Sequence, residues 1–127
     1  VLPFTSERRL TFAVPLRLVS EAATGEDGYL EGSIDLLLAQ NGLTRILDYK
    51  TDRLYSTPPG EAAGRYWPQL ALYGLAARAC GIAEENVELI VCFVRKGVLC
   101  RRMLQGDVLR EVRTYLEQEI SSRREVR

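Results

Sequence analysis

Apolar residues recur at every second position in several stretches and with a helical period in two others, and these stretches lay out the chain. Leu10 to Val19 alternates Phe12, Val14, Leu16 and Leu18 against Ala13, Pro15 and Arg17, which predicts a strand. Pro15 has no N–H to donate to a ladder, so the strand belongs at a sheet edge or carries a bulge. Glu21 to Gly28 reads as a connecting loop. Tyr29 to Arg53 predicts a β-hairpin closed by Asn41-Gly42, because both central residues of a type I′ turn need positive φ. Leu54 to Gly64, with Pro58-Pro59-Gly60, reads as a loop. A Leu- and Ala-rich helix is predicted from about Tyr66 to Cys80, with Pro68 in its first turn and Gly81 as C-cap. Asn86 to Val94 is the near-continuous apolar run of a buried central strand. Arg95-Lys96-Gly97 makes a turn, and Val98 to Leu104 returns as a further strand. Asp107 is placed to N-cap a last helix whose stripe is Val108, Leu109, Val112, Leu116 and Ile120, with residues 121–127 frayed. The order β-β-β-α-β-β-α predicts an α/β fold with a mixed central β-sheet flanked by helices.

The hairpin is the unusual element. With Asn41 and Gly42 as the loop, Gln40 pairs with Leu43, and Asp35 falls opposite Asp48, Ser33 opposite Lys50 and Glu31 opposite Asp52. The face carrying Gly32, Ile34, Leu36, Leu38, Leu47 and Tyr49 is expected to be mostly core. The Asp35 face is apolar near the turn and densely charged at the far end. Opposed side chains have Cβ atoms about 5 Å apart, and two carboxylates there repel by roughly 3 kcal/mol at an effective dielectric near 20. A bound cation or the neighbouring Lys50 ammonium could relieve this.

At 127 residues the chain is one domain with 46% apolar and 27% charged residues, ordinary for a soluble globular protein. Its 17 basic and 17 acidic residues leave no net charge, which argues against a strong, self-sufficient nucleic-acid footprint but not against a local basic rim. No histidine is present, so His-dependent nucleophilic catalysis and His-ligated zinc are excluded within these residues. Cys80, Cys92 and Cys100 lack zinc-site spacing; Cys92 and Cys100 are expected to be buried free thiols, which suits a reducing cytoplasmic location. No run is long and apolar enough for a membrane helix. Val1-Leu2-Pro3-Phe4 resembles neither a natural start nor a signal peptide, so the chain is expected to be a domain of a longer protein.

Two readings of Asp35, Asp48 and Lys50 are open from the residues alone. One is a Mg²⁺ pocket for phosphodiester hydrolysis, since hard cations take carboxylate oxygens and retain waters. The other is an exposed Lys–Asp salt bridge of little energetic weight. Gln69 and Tyr73, four apart on the predicted helix, are by themselves a surface hydrogen-bonding pair.

Three segments, Gly32-Ser33-Ile34-Asp35, Asp48-Tyr49-Lys50 and Gln69-Leu70-Ala71-Leu72-Tyr73, closely resemble the core motifs of the PD-(D/E)XK nuclease superfamily. More narrowly they resemble its RecB/AddA branch, with a GxxD strand, a DYK strand and a QxxxY helix. The resemblance covers residues about 10 to 104 and implies a restriction-endonuclease-like core and a metal-dependent deoxyribonuclease. It implies that Asp35, Asp48 and the carbonyl of Tyr49 bind Mg²⁺, with Mn²⁺ as a substitute. It further implies that Lys50 positions the attacking water and stabilises the phosphorane, and that Gln69 and Tyr73 reach toward Lys50 or a DNA phosphate. Arg53 and Arg65 flank the site as DNA-binding residues, and Arg95, Lys96, Arg101 and Arg102 form a candidate second basic strip. The implied partners are single-stranded DNA, a helicase portion of the same parent chain and a second helicase–nuclease subunit. An upstream histidine ligand usual in that branch is missing, and is expected on a helix before Val1. The branch's first-strand glutamate is also missing from Ala13-Val14-Pro15-Leu16, with Glu31 as a nearby substitute. Three cysteines do not fit the four-cysteine iron–sulphur cluster of some members, so no cluster is expected.

Overall fold

The computed structural model describes residues 6–126. Its elements are β1 (Ser6–Pro15), β2 (Tyr29–Gln40), β3 (Leu43–Lys50), α1 (Pro59–Ala63), α2 (Trp67–Ala79), β4 (Asn86–Phe93), β5 (Val98–Met103) and α3 (Gly106–Val126), with two short 3₁₀ turns between β1 and β2. The five strands form one sheet in chain order, antiparallel throughout except that β3 and β4 run parallel. Parallel neighbours need a long crossover, and here α1 and α2 supply it. This is the mixed α/β architecture, a central sheet flanked by helices, that the order of elements predicts.

β1 lies at the sheet edge and ends on Pro15, where its missing N–H is harmless. Asn41 and Gly42 adopt φ of 49° and 80°, the conformation that the hairpin turn requires. The predicted loop over residues 54–64 is partly helical: Pro59 opens α1 and the turn buries Ala62 and Ala63. Proline's fixed φ suits a first helical residue, so the Pro-Pro pair starts a helix here rather than preventing one. α2 ends in a Schellman motif: the N–H of Ile82 donates to Ala77 O at 2.9 Å and that of Gly81 to Arg78 O at 3.0 Å. α3 runs through Val126, so the backbone from Ser121 to Val126 is helical rather than frayed.

One apolar cluster gathers Leu37, Ile46, Val87, Leu89, Val91 and Phe93 from the sheet with side chains of all three helices. The stripe Val108, Val112, Leu116 and Ile120 attaches α3 to it, with Leu109 partly buried at its side. The helices therefore lie over the face of β3 that carries Thr44, Ile46, Asp48 and Lys50. This corrects the expectation for the hairpin, because Leu36, Leu38 and Leu47 are only half-buried while Leu37, Ile46 and Thr44 are buried. The helices cover the side that carries Leu37 and Ile46, and a bulge brings Ile34 onto it. Arg8 pairs with Leu37 and Leu10 with Ile34, so Asp35 and Leu36 together oppose Arg9. The extra residue breaks the alternation and turns Ile34 and Leu37 to one side. Cys92 and Cys100 are free thiols but half-buried rather than fully enclosed. Among the described residues no helix is long and apolar enough to cross a membrane.

Candidate active site

β2 and β3 pair in the expected register from Gln40/Leu43 to Leu36/Leu47, and there the ladder stops. The expected ladder pairs Asp35/Asp48, Ser33/Lys50 and Glu31/Asp52 do not form. Beyond the bulge β2 pairs with β1 alone, while Asp48 to Lys50 of β3 pair with Val91 to Phe93 of β4. The two strands diverge at the acids, and Asp35 closes the fork: its Oδ2 accepts the Tyr49 N–H at 2.9 Å. A strand residue's N–H and C=O point to the same edge, so the Tyr49 carbonyl is also turned toward β2, past the end of the ladder.

Asp35 is close enough to Asp48 to act on its carboxyl as a hydrogen-bonding neighbour and as a like charge. Lys50 Nζ lies 3.0 Å from Asp48 Oδ2. That approach is an ion pair off the hydrogen-bonding direction, since Oδ2 is buried without a hydrogen bond among the described residues. Burial raises the Asp48 carboxyl above its ordinary value; the Lys50 ammonium opposes the rise and the Asp35 carboxylate adds to it. Burial works against the Lys50 charge as well, but Asp48, Tyr66 and Asp52 outweigh it and raise the ammonium's pKa, so Lys50 stays protonated at neutral pH. These directions are compatible: the site is rich in negative charge, which favours the cation and disfavours a second ionised acid.

Two groups that sequence reasoning left out complete the surroundings of Lys50. Its Nζ sits 4.4 Å from the ring centroid of Tyr66, whose hydroxyl donates to Asp52 Oδ2. That hydrogen bond and burial raise the Tyr66 phenol above its usual range. Tyr66 immediately precedes α2 and Asp52 follows Lys50 by two, so only the folding of α2 over β3 brings them together. The turn after β4 is attached as well: Arg95 Nε donates to Thr51 O at 2.7 Å.

Gln69 and Tyr73 share a face of α2, with Gln69 Nε2 donating to the Tyr73 hydroxyl at 3.0 Å. The Tyr73 ring meets Phe12 edge-on at 5.1 Å and lies against Gly32. Tyr66, not this pair, is the α2-side group that touches Lys50. Arg53 and Arg65 are exposed, and Arg65 lies 5.9 Å from the Tyr66 ring centroid. The second basic strip is largely engaged: Arg101 pairs with Glu88, and Arg102 with Glu111 and the Trp67 ring. Glu31 does not join the two aspartates, and among the described residues no cluster of three or more His, Cys, Asp and Glu side chains forms. The donor set is two carboxylates and a strand carbonyl, one carboxylate oxygen being buried without a hydrogen bond. Such a set fits a hard divalent cation that keeps several waters.

One prediction concerns stability. Because the folded-state pKa of Asp48 is raised, its contribution is fully present below its unfolded value near 3.8 and is lost as pH rises through the higher folded value. Asp48→Asn is therefore expected to raise the melting temperature near neutral pH, with the gain shrinking to nothing below about pH 4. Thermal melts of both proteins across this range test it; a variant that is less stable at every pH would contradict the assignment.

The sequence profile described as the PD-(D/E)XK nuclease superfamily matches residues 3–126. No curated protein matches the chain. Among solved structures, the crystal structure of SSO0001 superposes with a TM-score of 0.48 at 15% identity, over 94% of this chain and 50% of that one, so the chain spans half the length of SSO0001. With a profile match over nearly its whole length, this chain belongs to the PD-(D/E)XK nuclease superfamily.

Proposed function

We propose that the chain hydrolyses phosphodiester bonds of single-stranded DNA with Mg²⁺ or Mn²⁺ held by Asp35, Asp48 and the Tyr49 carbonyl. One observation carries this reading: two carboxylates meet where the strands diverge, with a buried Asp48 oxygen beside a lysine and no hydrogen bond to it. A cation bound there would supply Lewis-acid polarisation of the phosphate and a more acidic water. The chain's own groups do the rest. Lys50, held protonated by Asp48 and faced by the Tyr66 ring, directs its charge at the pentavalent phosphate, where negative charge grows as water attacks phosphorus and the bond to the leaving sugar oxygen breaks. Asp35 holds the Tyr49 backbone in place through its N–H. Arg53 and Arg65, both exposed near Tyr66 and the end of β3, would hold the strand's phosphates. Gln69 and Tyr73 would guide it along α2.

The GxxD, DYK and QxxxY segments support a role as the nuclease module of a RecB/AddA-type helicase–nuclease in DNA repair, with a motor delivering the strand. A second reading, a catalytically weak or inactive nuclease-like module for DNA guidance or subunit contact, is favoured by the presence of only two converging acids among the described residues.

Cleavage of labelled single-stranded DNA with and without Mg²⁺ separates the two. Mg²⁺-dependent cleavage that disappears in Asp48→Ala is expected, together with a Mg²⁺-dependent rise in the wild-type melting temperature that Asp48→Ala lacks. Cleavage that survives the substitution sinks the site assignment. A wild-type protein that binds DNA without cutting it at any Mg²⁺ or Mn²⁺ concentration favours the second reading.

A further inference from the structure

A cavity of about 430 Å³ opens between the start of β2, α2 and α3. Its size lies within the range of small-ligand sites. Tyr29, Tyr73 and Tyr115 line it, and Tyr29 and Tyr115 are 64% and 40% exposed. Leu30 and Leu72 contribute apolar surface, so the lining joins aromatic rings to an apolar wall. Four polar side chains also face it: Glu31, Gln69, Glu119 and Arg123. The hydrogen bond from Gln69 to Tyr73 leaves the Gln69 carbonyl oxygen without a protein partner among the described residues. Glu31, Glu119 and Arg123 form no ion pair with a described residue.

We propose that this cavity binds one unpaired nucleobase of the DNA strand, and prefers a base with an exocyclic amino group to thymine. The proposal rests on the reading of the chain as a nuclease of single-stranded DNA and names how that strand is held. Every base has a π-face, so tyrosine rings bind it whatever its identity, and such stacking is a common source of single-strand affinity. The carboxylates supply the selection. They repel a phosphate, which keeps the backbone outside, and they accept hydrogen bonds from the amino groups of cytosine and adenine, each of which brings two N–H donors where thymine brings only its ring N3–H. The placement relative to the acids suits one continuous strand. Tyr73 lines the cavity and also touches Gly32, which is three residues, or about 10 Å of strand, from Asp35.

The test is fluorescence anisotropy of short labelled oligonucleotides with the 127-residue chain at about 50 mM salt, with EDTA present so that none is cut. Oligo(dC) and oligo(dA) are expected to bind more tightly than oligo(dT), and an abasic strand of equal length about 10-fold more weakly than oligo(dC). Tyr115→Ala and Tyr29→Ala should each weaken oligo(dC) binding at least about 5-fold and leave abasic binding unchanged. Glu31→Gln should reduce the preference over oligo(dT), and Gln118→Ala, exposed on another face of α3, should change nothing. Equal affinity for all four strands, or base-dependent binding untouched by either tyrosine variant, overturns the proposal. Base-dependent binding without Mg²⁺-dependent cleavage would retain the cavity assignment and overturn the nuclease reading. Cleavage with base-independent binding would do the reverse.

Discussion

Lys50→Ala is expected to slow cleavage of single-stranded DNA by about 10²- to 10³-fold with little change in KM. The ammonium is fixed from two sides, 3.0 Å from Asp48 Oδ2 and 4.4 Å from the Tyr66 ring centroid, before any substrate arrives. A charge organised in advance toward the phosphate stabilises the transition state more than the ground state, so its removal falls on kcat. Its raised pKa leaves it a cation and not a base at neutral pH, which makes charge its contribution. Lys50→Arg keeps the charge but spreads it over a planar fork with different reach, and should recover only part of the rate. Steady-state kinetics of the three proteins, with thermal melts to show that each is folded, decide the matter. An effect confined to KM would assign Lys50 to DNA binding instead.

The second large effect is structural. A Cβ added at Gly32 would meet Tyr73 Cε1 at 2.5 Å, Tyr73 Cζ at 2.7 Å and Phe12 Cζ at 2.9 Å. The Tyr73 ring cannot yield freely, because Phe12 packs edge-on against it and Gln69 holds its hydroxyl. Gly32→Ala is therefore expected to cost about 3 kcal/mol and lower the melting temperature by about 10 °C. The cost should be coupled to Tyr73: adding Tyr73→Ala in the same chain should make the double variant more stable than the sum of the two single effects by at least about 1 kcal/mol. Additive effects, or a Gly32→Ala protein that melts with the wild type, would show that the two do not press on each other. The contact also links the first and third recognition segments physically: the glycine of one makes room for the tyrosine of the other.

The element order, the hairpin turn and its register as far as Leu36 were legible because they depend on short-range chemistry. Asn-Gly adopts positive φ on its own account, Gly81 marks a helix end, and the near-continuous apolar run from Asn86 to Val94 reads as a central strand, whereas the strand expected through Val19 stops at Pro15. Two things were misread for a common reason. The buried side of the hairpin and the partners of Asp52 both depend on what packs from elsewhere in the chain. A bulge shifts side-chain alternation by one residue, and a single sequence does not reveal that Asp35 and Leu36 of β2 together oppose Arg9.

By itself the sequence determined that Asp35 and Asp48 would lie near each other, since a two-residue turn sets which residues can face across a hairpin. Their relation to one another came only with the tertiary structure. The β2 bulge ends the ladder, so the acids meet at a fork rather than in a continuous sheet, and Asp35 takes a backbone N–H in place of a strand partner. The crossover then carries Tyr66 onto Lys50 and Tyr73 onto Gly32. Local rules act within a few residues, whereas these contacts join positions 16 and 41 apart, and only the packing of α2 over the sheet selects them.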